Sequence, residues 1–295
     1  MSTHTPLPLH TFDLVERLKR NPSDHKGNAG KVLLIGGSAG MAGALVLAGS
    51  ACLHLGAGWT ILEMLDPASA HVAWEQAELM VHLADADATA TLQNAKPDLI
   101  AIGPGLGDSP LAKNYLKASL RFPRIPLVLD ADALNLIAGD AALLKLLQER
   151  NQAFPNLSVL TPHPGEAGRL LQESTDAIQS NRLDALSTLV DLTGSIVVLK
   201  GQQSLIGSPT HNPLVCEQGN PGMGTGGMGD VLTGSIAAIA AQGIRHHLSL
   251  WEASGIAVQL HSTAADSLVA KQIGPIGLTP TEVILEMRSL LNRLV

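Results

Sequence analysis

Aromatic residues, cysteines and basic side chains are all scarce in this sequence of 295 residues. It contains three Phe, three Trp and one Tyr, so a surface that stacks nucleic-acid bases on aromatic rings is not expected. Cys52 and Cys216 are too few for a disulfide framework or a thiolate metal cage, and we expect two buried thiols. The 19 basic against 26 acidic residues give a net charge of −7, which argues against a nucleic-acid partner.

A secretion signal and an uninterrupted membrane span are also lacking. Residues 1–10 show no positively charged segment followed by an apolar core, so a cytoplasmic location is expected. Residues 41–62 are 22 residues without Asp, Glu, Lys or Arg, long enough to cross a membrane. Because His54, Gly56 and Gly58 interrupt this stretch, we predict a buried helix, a turn and a strand, with no membrane contact.

Short apolar runs alternate with helical segments along the chain, which predicts an α/β fold. Continuous apolar strands separated by helices are typical of a mostly parallel sheet with helices on both faces. Strands are predicted at Val32–Ile35, Thr60–Met64, Asp98–Ile102, Pro126–Leu129, Ser158–Leu160 and Ile196–Leu199. Helices are predicted at Ala42–Leu55, Ser109–Leu120, Asp140–Arg150, Gly165–Gln172, Asp176–Leu192, Gly229–Gln242, Leu250–Ala270 and Pro280–Leu294. Since no repeat or linker is found, we expect one domain over residues 1–295.

Glycine and polar residues follow five of the predicted strands. The segments are Gly36–Ser38, Gly103–Gly107, Asp130–Asn135, Thr161–Glu166 and Lys200–Gly201. The carboxyl ends of parallel strands share one edge of a sheet, and ligands bind at that edge. We therefore predict that these segments, as loops, form a functional rim.

The densest glycine cluster is Gly219–Gly234, which leads into an apolar helix. Glycines allow close backbone approach, and free N–H groups at a helix start attract anions such as phosphate. Asp230 lies in the predicted first turn, where it could cap the helix or accept a proton from a hydroxyl that attacks a phosphoryl group. Capping accounts for an Asp but not for five glycines within residues 221–231, so we favour the general base.

Other motif matches suggest different chemistry. Two segments beginning at Gly222 and Gly224 fit the dinucleotide fingerprint, but no strand with an acidic end follows about 20 residues later. The segment Gly36–Gly40 fits a hydrolase nucleophile elbow, and Asp130 and His163 follow in the order of a catalytic triad. That alternative leaves the glycine cluster unexplained.

A metal site is a further alternative, and we assign no side chain to one. His71, Glu75, Glu78 and His82 would share one face of a helix and could bind a metal there. The apolar run around Met80 favours a strand, which would break this face. His261 is expected to lie on a helix surface or to be a hydrogen-bonded core histidine.

Seven segments in order resemble the ADP/ATP-dependent NAD(P)H-hydrate dehydratases, a family with a ribokinase-like three-layer fold. They span most of the chain, and the ordered set is far more specific than any one segment. The segments are Lys26–Ser38, Met41–Ala44, Ile102–Gly107, Leu129–Asn135, Thr161–Glu166, Leu199–Gly201 and Asn220–Gly234.

This resemblance implies a repair reaction on reduced nicotinamide dinucleotides that have taken up water. The family removes water from the S epimer of the NADH or NADPH hydrate, with ADP in bacterial-type and ATP in eukaryotic-type members. For this chain it implies ADP as co-substrate and phosphoryl donor, Mg²⁺ as cofactor, and AMP and phosphate as products. Many relatives carry a fused epimerase domain, so we expect a separately encoded epimerase partner here. A homo-oligomer, with a tetramer as the guess, is also expected.

The resemblance also assigns roles to individual residues. It implies that Asp230 is the base beside the hydroxyl of the hydrate. The hydrate is expected to contact Ala44, Gly107, His163 and Asp230. The nucleotide is expected to contact Lys200, Gly201, Gln202, Gln203, Ser204 and Gly229. Two alternatives stay open: a small-molecule kinase for a vitamin precursor on the same fold, and a non-catalytic nucleotide sensor that would not need Asp230.

Overall fold

Ten strands form one sheet in the computed structural model, which describes residues 5–72 and 76–295. The sheet order is β1-β10-β9-β8-β7-β6-β5-β2-β3-β4. The strands are β1 (Leu7–Pro8), β2 (Lys31–Gly36), β3 (Trp59–Met64), β4 (Met80–Leu83), β5 (Leu99–Ile102), β6 (Leu127–Leu129), β7 (Ser158–Leu160), β8 (Ile196–Leu199), β9 (Leu205–Ser208) and β10 (His211–Val215). Strand β9 runs antiparallel to both β8 and β10, and all the other neighbours are parallel.

Helices cover both faces of this sheet. They are α1 (Phe12–Val15), α2 (Ala42–His54), α3 (Pro67–Ala70), α4 (Ala88–Ala95), α5 (Pro110–Arg121), α6 (Ala131–Gly139), α7 (Ala141–Ala153), α8 (Pro164–Leu171), α9 (Thr175–Ser180), α10 (Arg182–Thr193), α11 (Met228–Gly243), α12 (Leu250–Ala270) and α13 (Pro280–Leu294). Short 3-10 turns lie at Glu16–Leu18, Lys26–Asn28 and Pro221–Gly224.

The alternation of side chains along the strands divides the interior into two cores. In β2, Val32 and Leu34 pack in a core with α2, α11, α12 and α13. Leu33 and Ile35 point to the opposite face, into a core with α4 to α10. Successive side chains of a strand face opposite ways, so a strand buried on both sides is apolar throughout. The mostly parallel sheet with helices on both faces is confirmed.

All six predicted strands are present, but the structure differs from the prediction in several places. Residues 131–135, predicted as part of a polar loop, form the start of α6, which ends at Gly139. The single helix predicted over Asp176–Leu192 is divided into α9 and α10 at Asn181. The antiparallel pair β9 and β10 was not predicted.

The charge-free stretch over residues 41–62 folds as the helix, turn and strand predicted from its glycines. Helix α2 ends at His54 and β3 begins at Trp59. Among the described residues, no helix is long and apolar enough to cross a membrane. Cys52 and Cys216 are both free and buried, as expected.

A close contact between α2 and α11 fixes the helix that carries Asp230. A Cβ added to Gly234 would lie only 1.9 Å from the carbonyl oxygen of Ala48. The two helix backbones therefore touch, because glycine alone has no side-chain carbon to hold them apart. This contact fixes the position of α11 relative to α2.

Candidate active site

Loops at the carboxyl ends of the central parallel strands meet at one edge of the sheet. The loop after β2 is joined to the loop after β5, because Gly37 N–H donates to the carbonyl of Pro104 at 3.1 Å. The loop after β5 is joined to α6, because Gly107 N–H donates to Oδ2 of Asp132 at 2.9 Å. The structure thus brings the predicted rim segments together, although parts of the third and the fourth are helical.

Asp130 is the centre of a buried polar network at this edge. Its carboxylate is 1% exposed. Oδ1 accepts hydrogen bonds from Thr161 Oγ1 at 2.7 Å and from Lys200 Nζ at 2.9 Å, and Oδ2 accepts from Thr233 Oγ1 at 2.8 Å. A second carboxylate, Glu166 Oε2, lies 3.8 Å from Lys200 Nζ. The carboxylate of Asp130 therefore connects the ends of β6, β7 and β8 with the first turns of α11.

The glycine cluster forms a 3-10 turn and then the start of α11. Gly227, the N-cap of this helix, has φ +98°, a value that favours glycine. Its N-cap, Gly227, has no side chain that could cap the first N–H groups. Free N–H groups at a helix start can bind an anion, and anion binding at this end of α11 stays a prediction. A Cβ on Gly229 would lie 3.1 Å from Lys200 Nζ, so the ammonium group sits beside this helix end.

The glycines of this cluster differ in what surrounds them. A Cβ on Gly222 would lie 2.7 Å from the carbonyl oxygen of Pro275, and one on Gly227 would lie 2.6 Å from Leu47 Cδ1. Gly224 and Gly226 have no such neighbour within 4 Å. The first pair is enclosed by the protein, whereas the second pair faces open space.

Asp230 lies in the first turn of α11, and its carboxyl group has a raised pKa. Burial, followed by the negative charge of Asp130, raises its pKa from 3.8 to about 7. Lys200 opposes this shift, while Asp132 and Glu166 add to it. A carboxyl group with a pKa near neutrality suits general-base catalysis, whereas a capping carboxylate would be stabilised in its charged form.

His163 is the N-cap of α8, held in a capping box with Glu166. Its Nδ1 accepts the N–H groups of Gly165 at 3.0 Å and Glu166 at 3.4 Å, so the neutral ring carries its proton on Nε2. Burial and then the positive charges of Lys200 and Arg169 lower its pKa. Nε2 lies 3.2 Å from Oε1 of Glu166, so the second ring nitrogen of this half-exposed side chain faces a carboxylate and is not a free base. This favours a binding role over proton abstraction.

Gly107 and Ala44, the other two residues expected at the hydrate, lie on neighbouring segments of the rim. Gly107 has φ +69°, and a Cβ there would be 3.0 Å from Ser38 Oγ. Ala44 lies in the first turn of α2, the helix that follows Ser38. A side chain at position 107 would crowd Ser38, so the two loops approach each other closely there.

The segment expected at the nucleotide, Lys200–Ser204, connects β8 to β9. Gly201 and Gln203 have positive φ values of +139° and +55°. Ser204 Oγ donates to the carbonyl of Gly201 at 3.1 Å. Arg182 of α10 donates to the carbonyls of Lys200 at 3.2 Å and Gln203 at 3.4 Å, which fixes the turn from outside. The contacts of this segment with a nucleotide stay a prediction.

A polar chain beside Gly107 was not predicted as a unit. Asp132 accepts from Asn135 Nδ2 at 3.4 Å, and Asn135 Oδ1 accepts from Arg169 at 2.9 Å. Asp132 and Asn135 share one side of α6, at a spacing of three residues. The sequence contained this spacing, but it was assigned to a loop.

The alternative arrangements suggested by short motifs are not formed. Asp130 bonds Thr161, Lys200 and Thr233 rather than His163, so the hydrolase triad is absent from these residues. His82 lies on β4, which breaks the proposed helical metal face, and Glu75 lies outside the described residues. The described part of the chain contains no group of three or more His, Cys, Asp or Glu side chains placed to hold a metal ion.

The expectation for His261 is wrong. It is 5% exposed on α12, and its Nε2 is buried without a hydrogen-bond partner among the described residues. Burial, followed by the charge of Lys200, lowers its pKa to about 4. His261 is therefore a neutral buried ring and neither a surface nor a fully bonded core histidine.

Comparison of the whole chain with known proteins points to one family. A sequence profile described as NAD(P)H-hydrate dehydratase matches residues 32–288. The chain is 37% identical over 278 residues to an ADP-dependent (S)-NAD(P)H-hydrate dehydratase of Neisseria meningitidis, covering 93% of this chain and 89% of that one.

Two further relatives extend the comparison. The chain is 40% identical over 275 residues to a bifunctional NAD(P)H-hydrate repair enzyme of Coxiella burnetii, a match that covers 93% of this chain. It spans 53% of that relative, about half its length. The structure resembles an ADP/ATP-dependent NAD(P)H-hydrate dehydratase of Bacillus subtilis, crystallised with ATP and Mg²⁺, with a TM-score of 0.81 and 26% identity over 98% of this chain and 99% of that one.

The raised pKa of Asp230 predicts a gain in stability when the carboxyl group is removed. Asp230→Asn should raise Tm at pH 8, because the folded state then no longer contains a charge that is more costly there than in the unfolded chain. The stability lost through Asp230 accumulates between its unfolded pKa of 3.8 and its folded pKa of about 7. The gain should therefore be smaller at pH 5.5.

Thermal unfolding at both pH values checks this expectation. Asp184→Asn is a matched control, because Asp184 is an exposed carboxylate in the first turn of α10. If the Tm of Asp230→Asn does not rise, or if the rise in Tm is smaller at pH 8 than at pH 5.5, the buried charge of Asp230 does not destabilise the folded state.

Proposed function

The chain belongs to the NAD(P)H-hydrate dehydratase family, and we propose that it dehydrates the S epimer of hydrated NADH and NADPH with ADP as phosphoryl donor. The products are NADH or NADPH, AMP and phosphate. The observation that carries this proposal is the placement of Asp230, with its pKa of about 7, beside Lys200 at the glycine-rich start of α11. These groups supply a base, a cation and an anion cradle at one place.

The proposed reaction begins at the hydroxyl group of the hydrated ring. Asp230 accepts the hydroxyl proton as the oxygen attacks the terminal phosphorus of ADP, and AMP leaves with the electrons of the broken P–O bond. The resulting phosphate ester then leaves as phosphate, and loss of a ring proton restores the double bond of the reduced nicotinamide. Phosphoryl transfer depends on positioned charge, which the N–H groups of α11 and the ammonium of Lys200 provide.

The two substrates are proposed to occupy neighbouring parts of the rim. Ala44, Gly107 and His163 contact the hydrate. The nucleotide lies along Lys200–Ser204 and Gly229, so that its terminal phosphoryl group reaches the start of α11. We propose that Asp230, next to Gly229 in the chain, faces the reacting hydroxyl.

Mg²⁺ is proposed to enter with the nucleotide. The described residues offer no cluster of three ligating side chains, and Mg²⁺ in nucleotide sites is commonly held by phosphate oxygens and water with one or two carboxylates. Such an ion would neutralise charge on the phosphates. No residue of this chain is assigned as its ligand.

We also propose how the chain is organised. Residues 1–295 act as one dehydratase domain, located in the cytoplasm and assembled as a homo-oligomer. The Coxiella burnetii relative is named as a bifunctional repair enzyme. We propose that an NAD(P)H-hydrate epimerase works with this chain by supplying the S epimer.

A small-molecule kinase would share the base and the anion cradle, but its product differs. A kinase releases a stable phosphate ester, whereas the proposed enzyme releases phosphate and a reduced nicotinamide. A nucleotide sensor would release neither. The products of one reaction mixture therefore separate the three functions.

Mixing the protein with NADH hydrate, Mg²⁺ and ADP should restore the absorbance of reduced nicotinamide. We expect faster turnover with ADP than with ATP, because residues 220–234 closely match bacterial-type members. Phosphate and AMP should appear in equal amounts with NADH. Markedly faster turnover with ATP would overturn the choice of donor, and a stable phosphate ester would overturn the dehydratase itself.

Asp230→Asn should keep the nucleotide site but lose most turnover. The amide is nearly isosteric and leaves the backbone N–H groups in place, yet it cannot accept a proton at neutral pH. Loss of a general base costs about 10²–10⁴ in rate. In the unsubstituted enzyme, kcat/KM should rise with pH through a midpoint near 7, as Asp230 ionises.

Isothermal titration with ADP supplies the control for this variant. Binding within a few-fold of the unsubstituted protein, together with the loss of turnover, supports the general base. Activity that stays within about threefold, far below the usual cost of losing a base, would leave Asp230 without a role in proton transfer.

His163→Ala should raise KM for the hydrate and change kcat much less. The ring contributes binding in both the ground state and the transition state, and loss of such uniform binding appears in KM. His163→Asn is the matched control for the N-cap, because Asn also caps helices well and should restore stability but not KM. A loss of several orders of magnitude in kcat at unchanged KM would instead identify His163 as the proton acceptor.

A further inference from the structure

Asp130 occupies a helix N-cap position but does not cap the helix. It precedes α6 with φ −136°, and its side chain makes no capping hydrogen bond there. Asp is among the best N-cap residues because its oxygens accept the first free N–H groups. In this structure both oxygens point instead to Thr161, Lys200 and Thr233. Stability of α6 therefore does not explain this carboxylate.

The backbone around Asp130 is held in a restricted conformation. Ala131 has φ +49°, in the left-handed region that a residue with a side chain seldom adopts. A Cβ on Gly103, at the end of β5, would lie 1.8 Å from the carbonyl oxygen of Asp130. Such backbone strain persists only where the surroundings enforce it, and it concentrates at functional sites.

The hydrogen bonds of Asp130 set the position of Lys200 relative to helix α11, although these residues are far apart in the sequence. Lys200 Nζ is held at 2.9 Å, and this ammonium lies beside Gly229. Thr233 is held at 2.8 Å, and it lies one helical turn after Asp230 on α11. Oδ1 of Asp130 thus holds the ammonium group of Lys200, and Oδ2 holds α11, the helix that carries Asp230.

We propose that Asp130 is a positioning residue for phosphoryl transfer, which holds Lys200 and the first turns of α11 in register without contacting either substrate. This inference rests on the proposed function. It goes beyond the assigned contacts because Asp130 is fully enclosed, and its two oxygens are occupied by protein groups.

The charge of Asp130 also acts on the base through space. The charged groups that influence Asp230 are Asp130, Lys200, Asp132 and Glu166. Burial is the largest cause of its raised pKa, and Asp130 is the next. Removing the negative charge of Asp130 would also leave Lys200 less neutralised. Both changes lower the pKa of Asp230.

Asp130→Asn tests the proposal through the pH profile. We expect kcat to fall about 10- to 100-fold, by analogy with the loss seen when a residue that orients a metal ligand is removed. The rise of kcat/KM with pH should move to lower pH, because the pKa of Asp230 is lowered. Loss of structure alone would reduce the amount of active protein without moving this midpoint.

Glu286→Gln is the matched control. Glu286 is another buried carboxylate, 7% exposed, that accepts bonds from a hydroxyl and an ammonium, Ser267 and Lys271. It lies on α13, outside the residues proposed to bind substrates. This variant should lose thermal stability but keep both kcat and the midpoint of the pH profile.

A second measurement separates this inference from the proposed function. Carbon-13 NMR of aspartate carboxyl groups, with the Asp230 signal identified from Asp230→Asn, reports the pKa of Asp230 without turnover. A lower pKa in Asp130→Asn supports the inference even if the protein fails to dehydrate the hydrate, a failure that would refute the function alone. An unchanged pKa, or a kcat within about threefold of the unsubstituted enzyme where a positioning residue should cost more, overturns it.

If Asp130→Asn does not fold, Thr233→Val replaces it. This change removes only the hydroxyl that joins Asp130 to α11 and keeps a branched side chain in the buried site. We expect a reduced kcat with nearly unchanged affinity for ADP. A kcat equal to that of the unsubstituted enzyme would show that the anchoring of α11 by Asp130 has no part in the reaction.

Discussion

The buried ion pair between Asp130 and Lys200 is the interaction on which the candidate site depends. Removing two charges from water is costly, and the cost is offset only where good geometry and further hydrogen bonds satisfy both groups. Here Thr161 and Thr233 supply those bonds, and Glu166 adds a second negative charge near the ammonium. Burial alone would lower the pKa of Lys200, but the two carboxylates outweigh it and raise that pKa. A charged lysine is thus retained at the start of α11.

The sequence was sufficient to predict the parts of the fold that have strong local patterns. The central strands are continuous apolar runs because both faces of the sheet are covered, and each was found within a few residues of its predicted bounds. Strand β10 was missed because Pro213 interrupts it, and proline is unusual inside a strand. Helix α6 was missed because its first residues follow a strand directly and its start has a positive φ at Ala131, which no sequence signal indicates.

The sequence predicted where the candidate site lies but not the hydrogen bonds that join its residues. Glycine-rich segments after apolar strands indicated one edge of the sheet, and Asp230 was recognisable from its place in the first turn of an apolar helix. The partners of Asp130 are 31, 70 and 103 residues away along the chain, so only the folded arrangement of strands brings them together. The raised pKa of Asp230 likewise arises from burial and distant charges. Neither property belongs to any local stretch of sequence.

The glycines of the loop before α11 are subject to two separate evolutionary pressures. Gly222 and Gly227 are enclosed by neighbouring protein atoms, so selection for folding is enough to retain them whether or not the enzyme works. Gly224 and Gly226 face open space, and an alanine there would meet nothing in the protein itself. Only a bound ligand would penalise it. A descendant of this chain that abandoned catalysis would therefore lose the second pair first, and a loop that still looked glycine-rich would no longer be evidence of activity.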